Sequence, residues 1–156
     1  MEHVLLSVHV LASIVFVGGA TVATSLFPRY APVAAPVPAA PSGAAAPEDE
    51  RSRRVALSLH RTTRVYSILG VTVPMAGIAL AVAQGRMGEV WINVSMVLTA
   101  AAGVLLAWQI YPRQRRALRE PGDRGALSTL SALTGIFNLL WAAVVVLMIV
   151  RPGDHA

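Results

Sequence analysis

The sequence contains no cysteine and no lysine, and each absence narrows what the chain can be. Without cysteine, neither a disulfide nor a thiolate metal site is possible. All 13 basic residues are arginine, which indicates a bacterium with a GC-rich genome. Only 13% of the residues are charged, against about 25% in an average soluble domain, and 55% are hydrophobic. These proportions predict a membrane protein that forms one domain over residues 1–156.

Charged side chains are missing from the long apolar stretches. A spanning helix needs about 20 apolar residues, and four uncharged segments meet that requirement. The sequence therefore predicts an all-α fold, an integral membrane four-helix bundle with up-down-up-down order. The predicted spans are approximately Val4–Phe27, Val65–Ala83, Val90–Tyr111 and Ala126–Val150.

Two segments between the first two spans have different characters. Residues 31–50 are rich in proline and alanine and end in three acids, which predicts a flexible cytoplasmic loop. Residues 52–64 contain Arg53, Arg54, Arg61 and Arg64 among Val55, Leu57 and Leu59, which predicts an interfacial helix that extends the second span. We expect its arginines to reach lipid phosphates.

The positions of the arginines predict the topology. They cluster in the first and third loops, whereas the second loop has only Arg86. The positive-inside rule puts the two basic loops in the cytoplasm and both termini outside, in a multi-pass protein of the bacterial inner membrane. Membrane topology also explains the net charge of +5 without a nucleic-acid partner. The clustered residues are Arg29, Arg51, Arg53 and Arg54 in the first loop, and Arg113, Arg115, Arg116, Arg119 and Arg124 in the third.

Small and polar residues recur on one face of the third and the fourth span. Such residues let helices approach closely in lipid, so we expect these faces to meet in the bundle. Asn138 lies near the middle of its span, where an unpaired amide costs several kcal/mol. It must therefore face either a neighbouring helix or a ligand. The packing residues are Ser95, Thr99, Gly103 and Ala107 in the third span, and Ser131, Gly135 and Asn138 in the fourth.

His9, Met75 and Met96 are predicted at similar depths, about 8–12 Å below the outer surface at 1.5 Å per residue. Imidazole and thioether groups are ligands for Cu(I) or for haem b. The alternative is structural, because methionine commonly fills gaps in apolar cores and His9 can hydrogen-bond a polar side chain of a neighbouring helix. Both interpretations remain open at this point.

One stretch carries a family resemblance. His9-Val-Leu-Ala-Ser-Ile-Val-Phe-Val-Gly-Gly-Ala, followed by Ser25-Leu-Phe-Pro-Arg-Tyr-Ala, resembles the opening of small bacterial four-helix membrane proteins of unknown function. That group is loosely similar to the membrane domain of the copper-resistance protein D (CopD) family. A tryptophan frequent before the glycine pair in the copper family is Phe16 or Val17 here. The resemblance implies a four-helix membrane fold and makes His9 the residue of interest.

The predicted function is that of an accessory or scaffold subunit in a larger inner-membrane complex. All eight acidic residues lie outside the spans, which argues against a carboxylate proton relay. No nucleophile elbow or phosphate-binding loop is present, so an enzyme is not favoured. The expected partners are the lipid bilayer and other membrane subunits or a second copy of this chain. The alternative is a copper- or haem-handling membrane protein centred on His9.

Overall fold

The computed structural model describes residues 2–33, 47–70, 72–121 and 124–152. These residues form five helices and no strand, which confirms the all-α prediction. Most of the predicted flexible loop at 31–50 lies outside the described residues, and its last four positions begin a helix. The helices are α1 (Glu2–Tyr30), α2 (Pro47–Leu69), α3 (Thr72–Ala83), α4 (Val90–Arg119) and α5 (Arg124–Val150).

Three of the described helices are long and apolar enough to cross a membrane. The qualifying stretches are His9–Tyr30, Val90–Arg119 and Arg124–Val150, with mean hydropathies of 2.0, 2.0 and 2.4. They correspond to the first, third and fourth predicted spans. Three helices of this kind are typical of a membrane-embedded protein.

The second predicted span differs from the prediction, because residues 65–83 do not form one helix. Helix α2 ends at Leu69, and α3 begins at Thr72 and has only 12 residues. At 1.5 Å per residue α3 is about 18 Å long, shorter than a hydrocarbon core of about 30 Å. The break has a local cause: Pro74 has no N–H to give to the carbonyl of Gly70, and its ring disfavours a continuous helix there.

Helix α2 begins earlier than the predicted extension at 52–64 and includes all of it. Its first turn contains Glu48, Asp49 and Glu50, whose negative charge favours a helix N-terminus. Glu50 also forms an ion pair with Arg54, one turn later, at 3.0 Å.

Helix α4 changes its winding before its basic end. Residues Leu105–Ile110 form a π-helical turn, and the Tyr111 N–H donates to the carbonyl of Leu106, five residues back. Pro112 explains this turn, because it has no N–H and its ring would clash with the carbonyl four residues earlier in an α-helix. The wider turn shifts the register of the side chains beyond it. The face of Tyr111–Arg119 therefore does not simply continue the face of Val90–Val104.

Aromatic rings join α1, α2 and α5 in the core. The Phe16 ring meets Tyr66 edge-on with centroids 5.4 Å apart, and it meets Trp141 at 5.9 Å. Phe137 packs against Trp141 at 6.4 Å. Gly19 makes room for this cluster, because a Cβ there would overlap the ring of Tyr66. Large side chains and one glycine thus hold these three helices together.

A candidate anion-binding groove

Helix α2 contributes four side chains to a groove at the basic end of α4. They are spaced four, three and four residues apart, which places them on one face of a helix. The face alternates charged and apolar groups around a single histidine. Its residues are Arg53, Leu57, His60 and Arg64.

The opposite wall of the groove belongs to the last two turns of α4. That segment begins directly after the π-helical turn, and its face contains two arginines with an aromatic and an aliphatic residue. The two walls flank an open groove of about 530 Å³. The residues on the α4 side are Tyr111, Arg115, Leu118 and Arg119.

His60 is held in place by two aromatic neighbours and by a contact at one ring nitrogen. It stacks on Tyr111 with centroids 4.8 Å apart and planes 9° apart, and Phe27 of α1 lies 6.4 Å away. Its Nδ1 lies 3.3 Å from Oε1 of Gln114. An amide oxygen only accepts hydrogen bonds, so this contact is a hydrogen bond in the tautomer that carries the proton on Nδ1. The neutral ring then has Nε2 as an acceptor.

Gln114 is fully buried, at 0% exposure, beneath this contact. Its Oε1 accepts from His60, and its Nε2 has no partner within the described part of the chain. A buried amide is costly to leave half-satisfied, so the bond with His60 matters for the orientation of both side chains.

The surroundings of His60 favour the neutral imidazole. Partial burial lowers the pKa of His60 below its ordinary value of 6.5, since the charged ring loses hydration. The hydrogen bond with Gln114 opposes this change and raises the pKa. The positive charges of Arg115 and Arg64 lower the pKa further.

No described carboxylate neutralises the four groove arginines. Arg53, Arg64, Arg115 and Arg119 form no ion pair or hydrogen bond with any residue that the structure describes. Four like charges around one groove create a positive potential that attracts anions. A guanidinium also presents a planar pair of donors that matches two phosphate or carboxylate oxygens. The groove is thus suited chemically to an anionic group.

The predicted metal ligands lie away from this groove. His9 and Met96 are partly buried, whereas the Met75 side chain is 63% exposed. Within the described ranges no group of three or more His, Asp or Glu residues is arranged to hold a metal ion. Copper or haem ligation by His9, Met75 and Met96 stays a prediction.

The small-residue stripe of α4 is buried only at its start. Ser95 and Thr99 are 4% and 9% exposed, and Gly103 and Ala107 are partly exposed. A Cβ placed on Gly103 meets nothing within 4 Å, so no described neighbour approaches it closely. The close approach occurs instead at Gly19, where the ring of Tyr66 fills the space.

The buried seam of α5 lies one residue away from the predicted one. Ser131 and Gly135 are exposed, and bulky side chains such as Leu130 and Phe137 fill the interface. The prediction assumed that small residues mark the contact, whereas the aromatic cluster determines it. Asn138 lies at the edge of this seam, where its Nδ2 donates to Ser25 Oγ of α1 at 3.1 Å. That contact is an interhelical hydrogen bond, the first of the two alternatives that the sequence left open.

Sequence reasoning assigned the groove arginines to topology and, for those of α2, to contacts with lipid phosphates, and it missed their convergence on one groove. One signal was present: Arg53, Leu57, His60 and Arg64 share a helical face that mixes charge, apolar surface and an imidazole. Nothing in the sequence showed that this face meets Tyr111–Arg119. No family model, curated protein or solved structure matches the chain, so the similarity to the CopD family and to small four-helix membrane proteins remains a prediction.

Proposed function

We propose that this chain is a multi-pass protein of the bacterial inner membrane whose groove between α2 and α4 binds a phosphate-bearing anion. One observation carries the proposal: four arginines converge on the groove, and no described residue neutralises them. Phosphate is the favoured anionic group, because arginine binds it with two parallel hydrogen bonds and because lipid headgroups present phosphate at the membrane interface.

The position of the groove along α4 supports a site at the membrane interface. Helix α4 is apolar from Val90 to Ile110 and basic from Arg113 to Arg119. In the proposed topology both basic loops lie in the cytoplasm and both termini lie outside, with the α2–α3 segment as the fourth crossing. The groove then lies at the height of the cytoplasmic lipid headgroups. Basic pockets between helices on this side bind anionic headgroups in other membrane proteins.

The accessory role in a larger membrane complex is part of the same proposal. Anion binding needs neither a catalytic group nor a cofactor, and it suits a small subunit that organises lipid or partner subunits. Purification in mild detergent followed by mass spectrometry tests this role. A stoichiometric membrane partner is the expected result, and a chain that purifies alone in every detergent would contradict it.

Anion binding is tested by ligand-dependent thermal stability of the full chain in a neutral detergent. A ligand that binds only the folded state raises the Tm, and the rise grows with the logarithm of the ligand concentration once that concentration exceeds the Kd. We expect pyrophosphate or phosphatidylglycerol to raise the Tm of the wild type, and phosphatidylcholine not to. The double variant Arg64→Gln with Arg115→Gln removes two groove charges and should lose the effect.

A second double variant provides the matched control. Arg61→Gln with Arg116→Gln removes one arginine from each of the same two helices, and neither residue lines the groove. This variant should respond to the anions as the wild type does. The proposal is wrong if no anion stabilises the wild type, or if the two double variants lose the response equally.

A further inference from the structure

The arginines of the groove fall into two pairs along its length. Arg64 and Arg115 lie near His60, and the positive charge of each lowers the pKa of that imidazole. Arg53 lies seven residues before His60, and Arg119 lies four residues after Arg115, about 10 and 6 Å away along their helices. Each helix thus contributes one arginine beside the histidine and one further along the groove.

The directions of the helices put Arg53 and Arg119 at the same end of the groove. Helices α2 and α5 both run antiparallel to α1, because later residues of each contact earlier residues of α1. The contacts are Tyr66–Phe16 and His60–Phe27 for α2, and Trp141–Phe16 and Asn138–Ser25 for α5. Only four residues link α4 to α5, which packs against it, so α4 runs antiparallel to α5 and therefore to α2. The beginning of α2 thus lies beside the end of α4.

Two pairs of cations match a ligand with two anionic groups better than a ligand with one. A single phosphodiester placed between Arg64 and Arg115 carries one negative charge and leaves Arg53 and Arg119 without a counter-charge. A second phosphate in the same molecule can meet that pair, and its binding is favoured because the first phosphate already holds it nearby. The groove volume of about 530 Å³ is more than ten times the roughly 30 Å³ of one water molecule in the liquid, so two phosphate groups fit.

The apolar surface next to the groove favours a lipid over a soluble anion. Ile68 lies four residues after Arg64, on the same face of α2, and its side chain is 65% exposed. Trp108, which is 74% exposed, lies at the apolar-to-basic boundary of α4, a position typical of the interface where headgroups and acyl chains meet. Leu57 and Leu118 add apolar surface to the groove itself. A lipid can place acyl chains on this surface, whereas inorganic phosphate or pyrophosphate gains nothing from it.

We propose that the groove binds a phospholipid with two phosphate groups, one held by Arg64 and Arg115 and the other by Arg53 and Arg119. Its acyl chains lie towards the Ile68 end of the groove. This inference rests on the proposed function, since it names the class of anion that the same groove takes. Basic pockets between helices on the cytoplasmic side bind headgroups of this kind in other membrane proteins.

The test compares three probes on the full chain in neutral detergent by titration with native mass spectrometry. Cardiolipin has two phosphodiester groups, phosphatidylglycerol has one, and inorganic pyrophosphate has two linked phosphates and no acyl chain. We expect cardiolipin to bind about tenfold more tightly than phosphatidylglycerol, because the second phosphate adds hydrogen bonds between charged groups. Pyrophosphate should bind more weakly than cardiolipin.

A double variant separates the second phosphate from the extra acyl chains of cardiolipin. Arg53→Gln with Arg119→Gln removes only the pair at the cytoplasmic end of the groove. We expect its affinity for cardiolipin to fall about tenfold, to that for phosphatidylglycerol, which should bind as to the wild type. Arg61→Gln with Arg116→Gln changes the net charge equally away from the groove and should bind both lipids as the wild type does. A cardiolipin advantage that persists in Arg53→Gln with Arg119→Gln would assign it to the acyl chains and overturn the inference.

The remaining outcomes separate this inference from the proposed function. Equal affinity of the wild type for the two lipids would overturn the inference, as would pyrophosphate binding as tightly as cardiolipin. So would an equal loss of both lipids from Arg53→Gln with Arg119→Gln. In each of these cases the proposed function survives if binding still depends on Arg64 and Arg115. Binding that is absent, or independent of those two arginines, would remove both.

Discussion

The two ends of α4 use arginine in opposite ways. At its start, Arg86 Nε donates to Glu89 Oε1 at 2.5 Å, and the Trp91 indole N–H donates to the other carboxylate oxygen. The guanidinium groups of Arg86 and Arg151 also lie over the Trp91 ring, 5.7 and 5.9 Å from its centroid. These contacts close the α3–α4 turn and attach the end of α5 to it.

At the other end, about 40 Å further along α4 at 1.5 Å per residue, the groove arginines Arg115 and Arg119 have no acceptor among the described residues. Arg64 and Arg115 face each other across the groove near His60, and no described carboxylate lies between them. The comparison shows that arginine position alone does not determine its role. An arginine with an internal carboxylate stabilises the fold, whereas an arginine without one is available to an external anion.

The comparison assumes that the helices pack as described between the two ends of α4. Gly19 offers the strongest test of that packing. Gly19→Leu should destabilise the protein by about 1–3 kcal/mol, because the new side chain overlaps the ring of Tyr66. Gly18→Leu is the matched control, since a Cβ at Gly18 meets nothing within 4 Å. Thermal unfolding in detergent measures both variants. Equal Tm values would show that α1 and α2 do not pack as described.

Removing the ion pair at the start of α4 should have the next largest effect on stability. Glu89→Gln removes the ion pair with Arg86 and weakens the acceptor of the Trp91 indole, so we expect a loss of about 1–2 kcal/mol. Glu120→Gln is the control, because that exposed carboxylate forms no ion pair with a described residue. Urea unfolding of both variants gives the comparison. A Glu89 variant as stable as the control would mean that the arginines at the two ends of α4 do not differ in their contribution to stability.

Lowering the pH should destabilise the protein through protonation of His60 in the groove. Its pKa is lowered in the folded state, so the unfolded chain takes up the proton first as the pH falls below 6.5. The stability from the neutral ring is therefore complete above pH 6.5 and is lost as the pH falls through the folded pKa. The Tm of the wild type should fall between pH 7 and pH 5 more steeply than that of His60→Phe with Gln114→Leu. Parallel curves would exclude this contribution.

Removing two charges from the groove should change the stability least. The change should be a gain, whereas Glu89→Gln gives a loss. Arg64→Gln with Arg115→Gln relieves repulsion between exposed like charges, so the ligand-free protein should gain about 0.3 kcal/mol at low salt. The gain should vanish at high salt, where the charges are screened. A loss of stability similar to that of Glu89→Gln would indicate that these arginines have internal partners after all.

The three long apolar helices were predictable because length and composition determine them directly. The second predicted span was not, because its total hydropathy does not reveal the break between Leu69 and Thr72. Pro74 itself marked that position. The seam of α5 was misplaced by one residue because Trp141, rather than Gly135, makes the contact with α1.

The groove was beyond sequence reasoning for a different reason. The face of α2 around His60 could be drawn from its spacing, and so could the basic face after Pro112. Their meeting depends on how α2 packs against α4 and on the register shift at the π-helical turn. Neither this packing nor this register shift follows from local sequence. Gln114, the buried amide that orients His60, looked like one more polar residue in a basic loop.

The central claim is that the groove holds a phosphate-bearing anion, and native mass spectrometry of protein extracted from its own membrane tests it most directly. The account predicts one retained phosphate-bearing lipid on the wild type and on Arg61→Gln with Arg116→Gln, and its loss from Arg64→Gln with Arg115→Gln. A lipid-free wild type, a retained neutral lipid, or equal retention by the two double variants would contradict it.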